Sequence, residues 1–269
     1  NRIIGRKILK ERRYPIMPFN NILSQDHIVD YFKRAIENQH LSHAYIFTGQ
    51  KGLGKSLVAK ELSKTLICQN KKSGHCGICR NCSRIEEHRH PDIHWILLEK
   101  KDKFLKIERI RDLQNTASLS PVESNYKIFV IKDAERMNEE AANCLLKTIE
   151  EPTPNTFFIL LANSLSRLKK TIISRCQVIR FKPIDTQVIK EQLTRIQNSD
   201  REEIEWASKF CCGSLGKAFE LLEEGFFQKN NDIISSISGL NSENNLICAK
   251  ELLTSSSGTS NSLEEIRQA

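Results

Sequence analysis

The chain predicts an α/β fold, a parallel sheet with helices on both faces, followed by a small all-helical unit. Three observations predict it. Short apolar runs alternate with segments of helical periodicity up to about residue 183, the pattern of strands buried on both faces. A glycine-rich turn separates the first such run from the helix after it. From residue 185 to 224 the periodicity is helical throughout.

The elements follow in order. Residues 22–38 read as a helix, with Ile28, Tyr31, Phe32, Ala35 and Ile36 at helical spacing. The run 44–47 reads as the first strand and 55–67 as the next helix. Runs 93–98, 128–131, 157–161 and 178–181 have strand character, with helices expected over 107–119 and 138–151. Asn138 is placed to cap the latter helix and Pro152 to end it. In the helical unit the pattern is carried by Val188, Ile189 and Leu193, then Ile204, Trp206, Ala207 and Phe210, then Leu215, Ala218, Leu221 and Leu222. Residues 226–269 hold about two more helices and a Ser-rich patch over 255–260 that reads as a linker or a frayed loop.

Composition excludes some classes. With 39% hydrophobic residues in 269, the chain can bury a core and is not broadly disordered. No apolar run approaches the ~18 residues of a membrane helix, and no secretory pattern is present. The expectation is a soluble, cytoplasmic protein without a membrane partner. The net charge of +8 favours nucleic acid or an acidic partner only mildly, because Arg2, Arg6, Lys7, Lys10, Arg12 and Arg13 cluster at the start. Met17 is expected to be the natural start, which makes 1–16 an upstream extension; the alternative is a basic arm that binds DNA.

Gly49-Gln50-Lys51-Gly52-Leu53-Gly54-Lys55-Ser56 fits the phosphate-binding pattern G-x-x-x-x-G-K-[ST], with a strand before it and a helix after it. Gly49, Gly52 and Gly54 let backbone N–H groups converge on phosphate oxygens. Lys55 is expected to reach the β and γ phosphates of ATP, and Ser56 to coordinate Mg²⁺. Such a site needs a second strand ending in an Asp that holds the metal. The strand 128–131 ends instead in Lys132, with Asp133 next. Either the site binds nucleotide without hydrolysing it, or Asp133 takes the metal role. Asn163, at the end of the run 157–161, is a candidate γ-phosphate sensor or a plain turn residue.

Cys68, Cys76, Cys79 and Cys82 form C-x7-C-x2-C-x2-C. Three thiolates within seven residues and a fourth one loop away suit a closed, structural Zn²⁺ site. His75 is an alternative ligand, with His88 and His90 nearby. Cys144, Cys176, Cys211, Cys212 and Cys248 are scattered and read as core residues.

Together these motifs resemble the clamp-loader branch of the AAA+ ATPases, and within bacterial DNA polymerase III the delta-prime type of subunit. The resemblance covers about residues 17 to 225. It rests on Leu145-Leu146-Lys147-Thr148-Ile149-Glu150-Glu151-Pro152, Ser174-Arg175-Cys176, the opening Phe19-Asn20-Asn21-Ile22-Leu23-Ser24-Gln25 and the zinc knuckle after the P-loop helix. It implies a five-stranded parallel AAA+ sheet over 17–183 with a zinc insertion at 68–82. A helical lid over 184–225 and the start of a collar domain over 226–269, which looks truncated, complete the implied organisation. It also implies a hetero-pentameric ring with motor (gamma/tau) and delta subunits that loads the sliding clamp onto primed DNA. Arg175 would act there as an arginine finger in the neighbouring subunit's ATP site.

Two departures from the motor pattern are Lys132 in place of the metal-binding Asp and Gly216 where the motor's lid carries an arginine. They imply a component of the polymerase holoenzyme with little or no ATPase activity of its own. The intact P-loop keeps an ATP-hydrolysing gamma/tau-type motor as the alternative.

Overall fold

The computed structural model describes residues 19, 22–70, 74–99, 102–196 and 199–238. Five strands form one sheet: β1 Ala44–Thr48, β2 Ile93–Ile96, β3 Lys127–Lys132, β4 Thr156–Ala162 and β5 Gln177–Arg180. Their order is β2-β3-β4-β1-β5, with every neighbouring pair parallel. The helices with it are α1 Asp26–Glu37, α2 Lys55–Ile67, α3 Arg80–Glu86, α4 Ile107–Ala117, α5 Glu139–Glu150 and α6 Lys170–Ile173. Then come α7 Thr186–Ile196, α8 Arg201–Phe210, α9 Leu215–Glu223 and α10 Phe226–Ser238.

The sheet is buried on both faces because successive side chains on a strand point to opposite sides. Tyr45, Phe47, Ile128, Val130 and Ile159 pack with Phe32 of α1 and with Val58 and Leu62 of α2. Ile46, Phe129, Ile131, Phe158 and Leu160 face the other way, against Ile110 and Leu113 of α4 and Leu145 and Ile149 of α5. Truncating a fully buried ring such as Phe47 to alanine costs about 3–5 kcal/mol at such positions. This double burial is why the strands read as unbroken apolar runs.

Local signals set several boundaries. The Asn138 side chain accepts the Ala141 N–H at 2.9 Å and starts α5, with Glu139 and Glu140 in the first turn. The expected helix 22–38 begins only at Asp26, and the expected strand 93–98 stops at Ile96. The single helical stretch 185–224 divides into α7, α8 and α9, the last capped by the Ser214 hydroxyl accepting the Lys217 N–H at 3.1 Å. Their shared core is Ile184, Ile189, Leu193, Ile204, Ala207, Cys211 and Ala218.

Two buried charges hold the sheet's entry side. The Asp92 carboxylate accepts the N–H groups of Val122, Glu123 and Ser124 at 2.6, 2.9 and 2.8 Å. Lys127 donates to the carbonyls of Thr116 and Leu119, both at 2.8 Å. Gln25, fully buried, clasps the backbone of Lys182: its amide nitrogen donates to the carbonyl at 2.6 Å and its oxygen accepts the N–H at 3.1 Å. The opening motif is thereby tied to the segment that leads into the helical unit.

The expected extension 1–16, Met17 and the Ser-rich stretch lie outside the described residues. So does the rest of the expected collar, from residue 239 on. Among the described residues, no helix is long and apolar enough to cross a membrane.

Candidate functional site

The strand order places β1 between β4 and β5, and the chain reaches β1's neighbours only after crossing to β2 and back. A crevice opens at the carboxyl ends of strands where the order reverses in this way. The register pairs Thr48 with Ala162, which sets Gly49 beside Asn163; the Gly49 N–H donates to the Ala162 carbonyl at 3.3 Å. The loop then runs into α2, whose leading Gly54 has φ +91°. That helix has no side-chain cap and no acidic residue in its first turn, so its positive end is left to an outside anion.

Lys55 is only 8% exposed. Its ammonium donates to the carbonyls of Gly49 and Gln50, the latter at 2.7 Å, and to Asn163 Oδ1 at 3.0 Å. Burial lowers its pKa to about 8, against the pull of the Glu135 and Asp133 carboxylates. Asn163 is thus joined to the loop lysine. Ser56 follows, half-buried, in the first turn of α2. The donor set, with its ammonium and uncapped helix end, fits the phosphates of a nucleotide.

Lys132 ends β3 exposed to solvent. Asp133 adopts a left-handed backbone, φ +53°, that turns the chain into a short 3-10 helix, Ala134–Arg136. The turn brings Glu135 to the crevice: one of its oxygens, Oε1, accepts the Asn163 N–H at 3.0 Å. The other, Oε2, is buried and has no hydrogen-bond partner among the described residues. Sequence reasoning missed Glu135, because it lies three residues past Lys132, the position at which the second-motif acid is normally sought.

The helical unit closes directly on the loop. Ser214 Oγ donates to the Lys51 carbonyl at 2.7 Å, and the Gly216 N–H to the Gly52 carbonyl at 3.2 Å. Lys51 also pairs with Glu220 at 2.9 Å. A Cβ on Gly216 would lie 2.7 Å from Gly52 Cα, and one on Gly52 would lie 2.2 Å from Ser214 Oγ. Both glycines are needed for backbone to meet backbone here.

The sulfurs of Cys68, Cys76, Cys79 and Cys82 all lie within 4.8 Å of one another. The separations Cys68–Cys76 and Cys68–Cys79 are 3.6 and 3.9 Å. A tetrahedral Zn–S distance of ~2.3 Å requires sulfurs roughly 3.8 Å apart. Backbone N–H groups of Asn70 and Cys76 point at Cys68 Sγ (3.3 and 3.2 Å), and that of Cys79 at Cys76 Sγ (3.3 Å). Burial opposes ionisation of Cys76, yet the N–H groups of Ile78 and Cys79 outweigh it and bring its pKa to about 6. Burial pushes the Cys68 and Cys82 thiols up; it is the spacing of the four sulfurs that fits Zn²⁺.

His75 is turned elsewhere: its Nε2 lies 2.5 Å from Glu61 Oε2. Glu61 also pairs with Lys64 (3.0 Å), Lys64 with Glu86 (2.7 Å) and Glu86 with Lys60 (3.0 Å), so α2, α3 and the cysteine loop are tied together. In sequence these charges look like an ordinary wet helix face; the knuckle buries them. His88 stacks edge-on against Trp95, and His90 Nδ1 accepts the Asp92 N–H at 3.2 Å, so neither joins the sulfurs. Cys144, Cys176, Cys211 and Cys212 are free and apart from the cluster. Cys248 lies outside the described residues.

Arg175 follows α6. Its Nε lies 2.5 Å from Glu150 Oε1, and its Nη1 donates to the Thr171 carbonyl at 3.1 Å. Its side chain remains 40% exposed. The two signature segments, 145–152 and 174–176, therefore touch.

The sequence profile of the family described as "DNA polymerase III, delta subunit" matches residues 24–185. The chain belongs to that family. It is 39% identical over 63% of its length to "DNA polymerase III subunit delta'" of Bacillus subtilis (strain 168), covering 51% of that protein. It is 32% identical to the protein of the same name from Haemophilus influenzae, over 71% of this chain and 58% of that one. Similarity extends to "DNA polymerase III subunit tau" of Escherichia coli (strain K12), 27% identical over 92% of this chain and 40% of the relative. The chain thus spans roughly 40–58% of these relatives' lengths, within the clamp-loader family of delta', gamma and tau subunits. A RuvB variant from Thermotoga maritima superposes with TM-score 0.50 at 14% identity, over 88% of this chain and 73% of that one. That likeness concerns the fold alone.

Proposed function

We propose that this chain acts as a delta-prime-type subunit of the DNA polymerase III clamp loader. It joins motor and delta subunits in a ring that loads the sliding clamp onto primed DNA. It binds MgATP through Gly49, Gly52, Gly54, Lys55 and Ser56, with Asp133 and Asn163 beside them, and turns it over slowly or not at all. It lends Arg175 to the neighbouring subunit's ATP, and Zn²⁺ on Cys68, Cys76, Cys79 and Cys82 holds the knuckle.

The observation that carries the reading against a motor subunit is the Gly216–Gly52 contact. A motor would present an arginine to the nucleotide from this place on the lid. Here the backbones of lid and loop fill the space. The exposed ammonium of Lys132, which cannot ligate a cation, supports the same conclusion. Glu150 grips Arg175 by Nε and the Thr171 carbonyl takes Nη1, so the arginine is held at one edge and partly open to a neighbour.

The second reading, a gamma/tau-type motor, is favoured by the complete P-loop and by the extent of the match to tau. One reconstitution separates the two. The chain is mixed with motor, delta and clamp, and DNA-stimulated ATP hydrolysis is measured. Arg175→Ala should abolish turnover by the ring, while the purified chain alone hydrolyses negligibly. Steady ATPase activity by the chain alone that disappears in Lys55→Ala would establish the motor instead. Unchanged ring turnover in Arg175→Ala would remove the finger assignment.

A further inference from the structure

The proposed nucleotide site lacks the acid that ordinarily anchors magnesium, because Lys132 stands there. Two nearby carboxylates compete for the part. Asp133 directly follows β3, but its left-handed backbone turns the chain away from the strand direction. Glu135, one turn on, comes back under the carboxyl ends of β3 and β4. There the backbone N–H of Asn163 holds Oε1 at 3.0 Å. The Asn163 side chain in turn takes a hydrogen bond from Lys55 at 3.0 Å. Glu135 is therefore one residue removed from the phosphate-binding ammonium and fixed to the same strand end.

Its second oxygen is the telling feature. Oε2 is buried and has no hydrogen-bond partner among the described residues. A carboxylate oxygen shut from water is unfavourable unless something positive answers it. Magnesium beside a nucleotide usually keeps several waters and takes one or two carboxylates with the phosphates. A carboxylate held by one oxygen, with the other unanswered, suits that demand. Of the acidic groups here, Glu135 is also the one that pulls hardest on the Lys55 charge.

We infer that Glu135 is the carboxylate that makes nucleotide binding at this site depend on magnesium, in place of the acid missing at Lys132. The inference rests on the nucleotide-binding reading proposed above, and its test separates the two.

ATP binding by the full chain is titrated calorimetrically with and without MgCl₂, for the parent protein and for Glu135→Gln, Asp133→Asn, Glu140→Gln and Lys55→Ala. Glutamine at 135 can still accept the Asn163 N–H, so the fold is kept; a thermal melt checks this. Magnesium should tighten ATP binding to the parent by about 10- to 100-fold, the weight typical of a carboxylate that serves a metal. Glu135→Gln should lose that gain while holding or improving its affinity for metal-free ATP. Glu140→Gln, an exposed charge on α5, should keep the gain. Bound Mn²⁺ counted by electron paramagnetic resonance with ATP present should fall in parallel for Glu135→Gln.

The inference is overturned if Glu135→Gln retains the full magnesium effect, or if Asp133→Asn alone removes it. If the parent binds no ATP, or Lys55→Ala binds it equally well, the nucleotide reading itself falls and takes the inference with it.

Discussion

The Gly216 amide donates to the Gly52 carbonyl at 3.2 Å, so the first turn of α9 rests on the glycine-rich loop with no side chain between them. Gly216 does not need its conformational freedom, since its φ is not in the left-handed region; it needs its lack of a Cβ. A methyl group there meets backbone, which cannot swing aside as a side chain can.

Gly216→Ala should therefore loosen the lid from the loop and destabilise the protein by about 1–3 kcal/mol, the usual cost of overpacking. Urea denaturation measures the loss, and limited proteolysis should show faster cleavage between β5 and α7. Equal stability and unchanged digestion would mean that the contact is not maintained in solution.

The buried Lys55 gives a pH dependence. On the proposed nucleotide reading phosphate oxygens bind its ammonium form, and burial has brought its pKa to about 8. Affinity for ATP should be fully present below about pH 8. Above it, the empty site has lost its proton and binding must recover one, so affinity should fall by about tenfold per pH unit. Lys55→Arg, whose guanidinium stays charged, should show a flat profile over the same range. A parent profile level to pH 10 would contradict the assignment of Lys55 as the phosphate cation.

The cysteine cluster predicts one zinc per chain by elemental analysis. Cys79→Ser should lose it. Cys79 Sγ also accepts the Cys82 N–H at the start of α3, so metal loss should reduce helicity and expose the Glu61–Lys64–Glu86 network. A strong chelator should lower the melting temperature of the parent and leave Cys79→Ser unaffected, as expected when metal binding is part of folding.

Asp92 should control acid stability. Burial favours its neutral form, but three N–H donors outweigh this and hold its pKa below the ordinary value. Its contribution is therefore present above pH ~4 and is lost as pH falls through the lowered pKa of the folded state. Asp92→Asn, which turns an NH₂ toward N–H donors, should cost about 2–3 kcal/mol at neutral pH and flatten the stability curve on the acid side.

The sheet and the glycine-rich turn between its first strand and the next helix were legible from residue order alone, because their signals are local. Tyr45 and Ile46 are apolar whichever face they meet, and the glycines of the loop sit at fixed offsets from Lys55. The cysteine spacing likewise confines four sulfurs to one small volume. Glu135 and the Gly52–Gly216 contact were not legible in this way. The first depends on the left-handed turn at Asp133 and on the β3–β4 register that brings Glu135 to Asn163. The second joins residues more than 160 positions apart, and only the packing of α9 on the loop makes an unremarkable glycine indispensable. Composition and spacing set which groups are available to bind phosphate and metal, since those depend on neighbours in the chain. Which carboxylate faces the site, and how tightly the lid covers it, follows from backbone segments meeting across space, and no local pattern encodes that meeting.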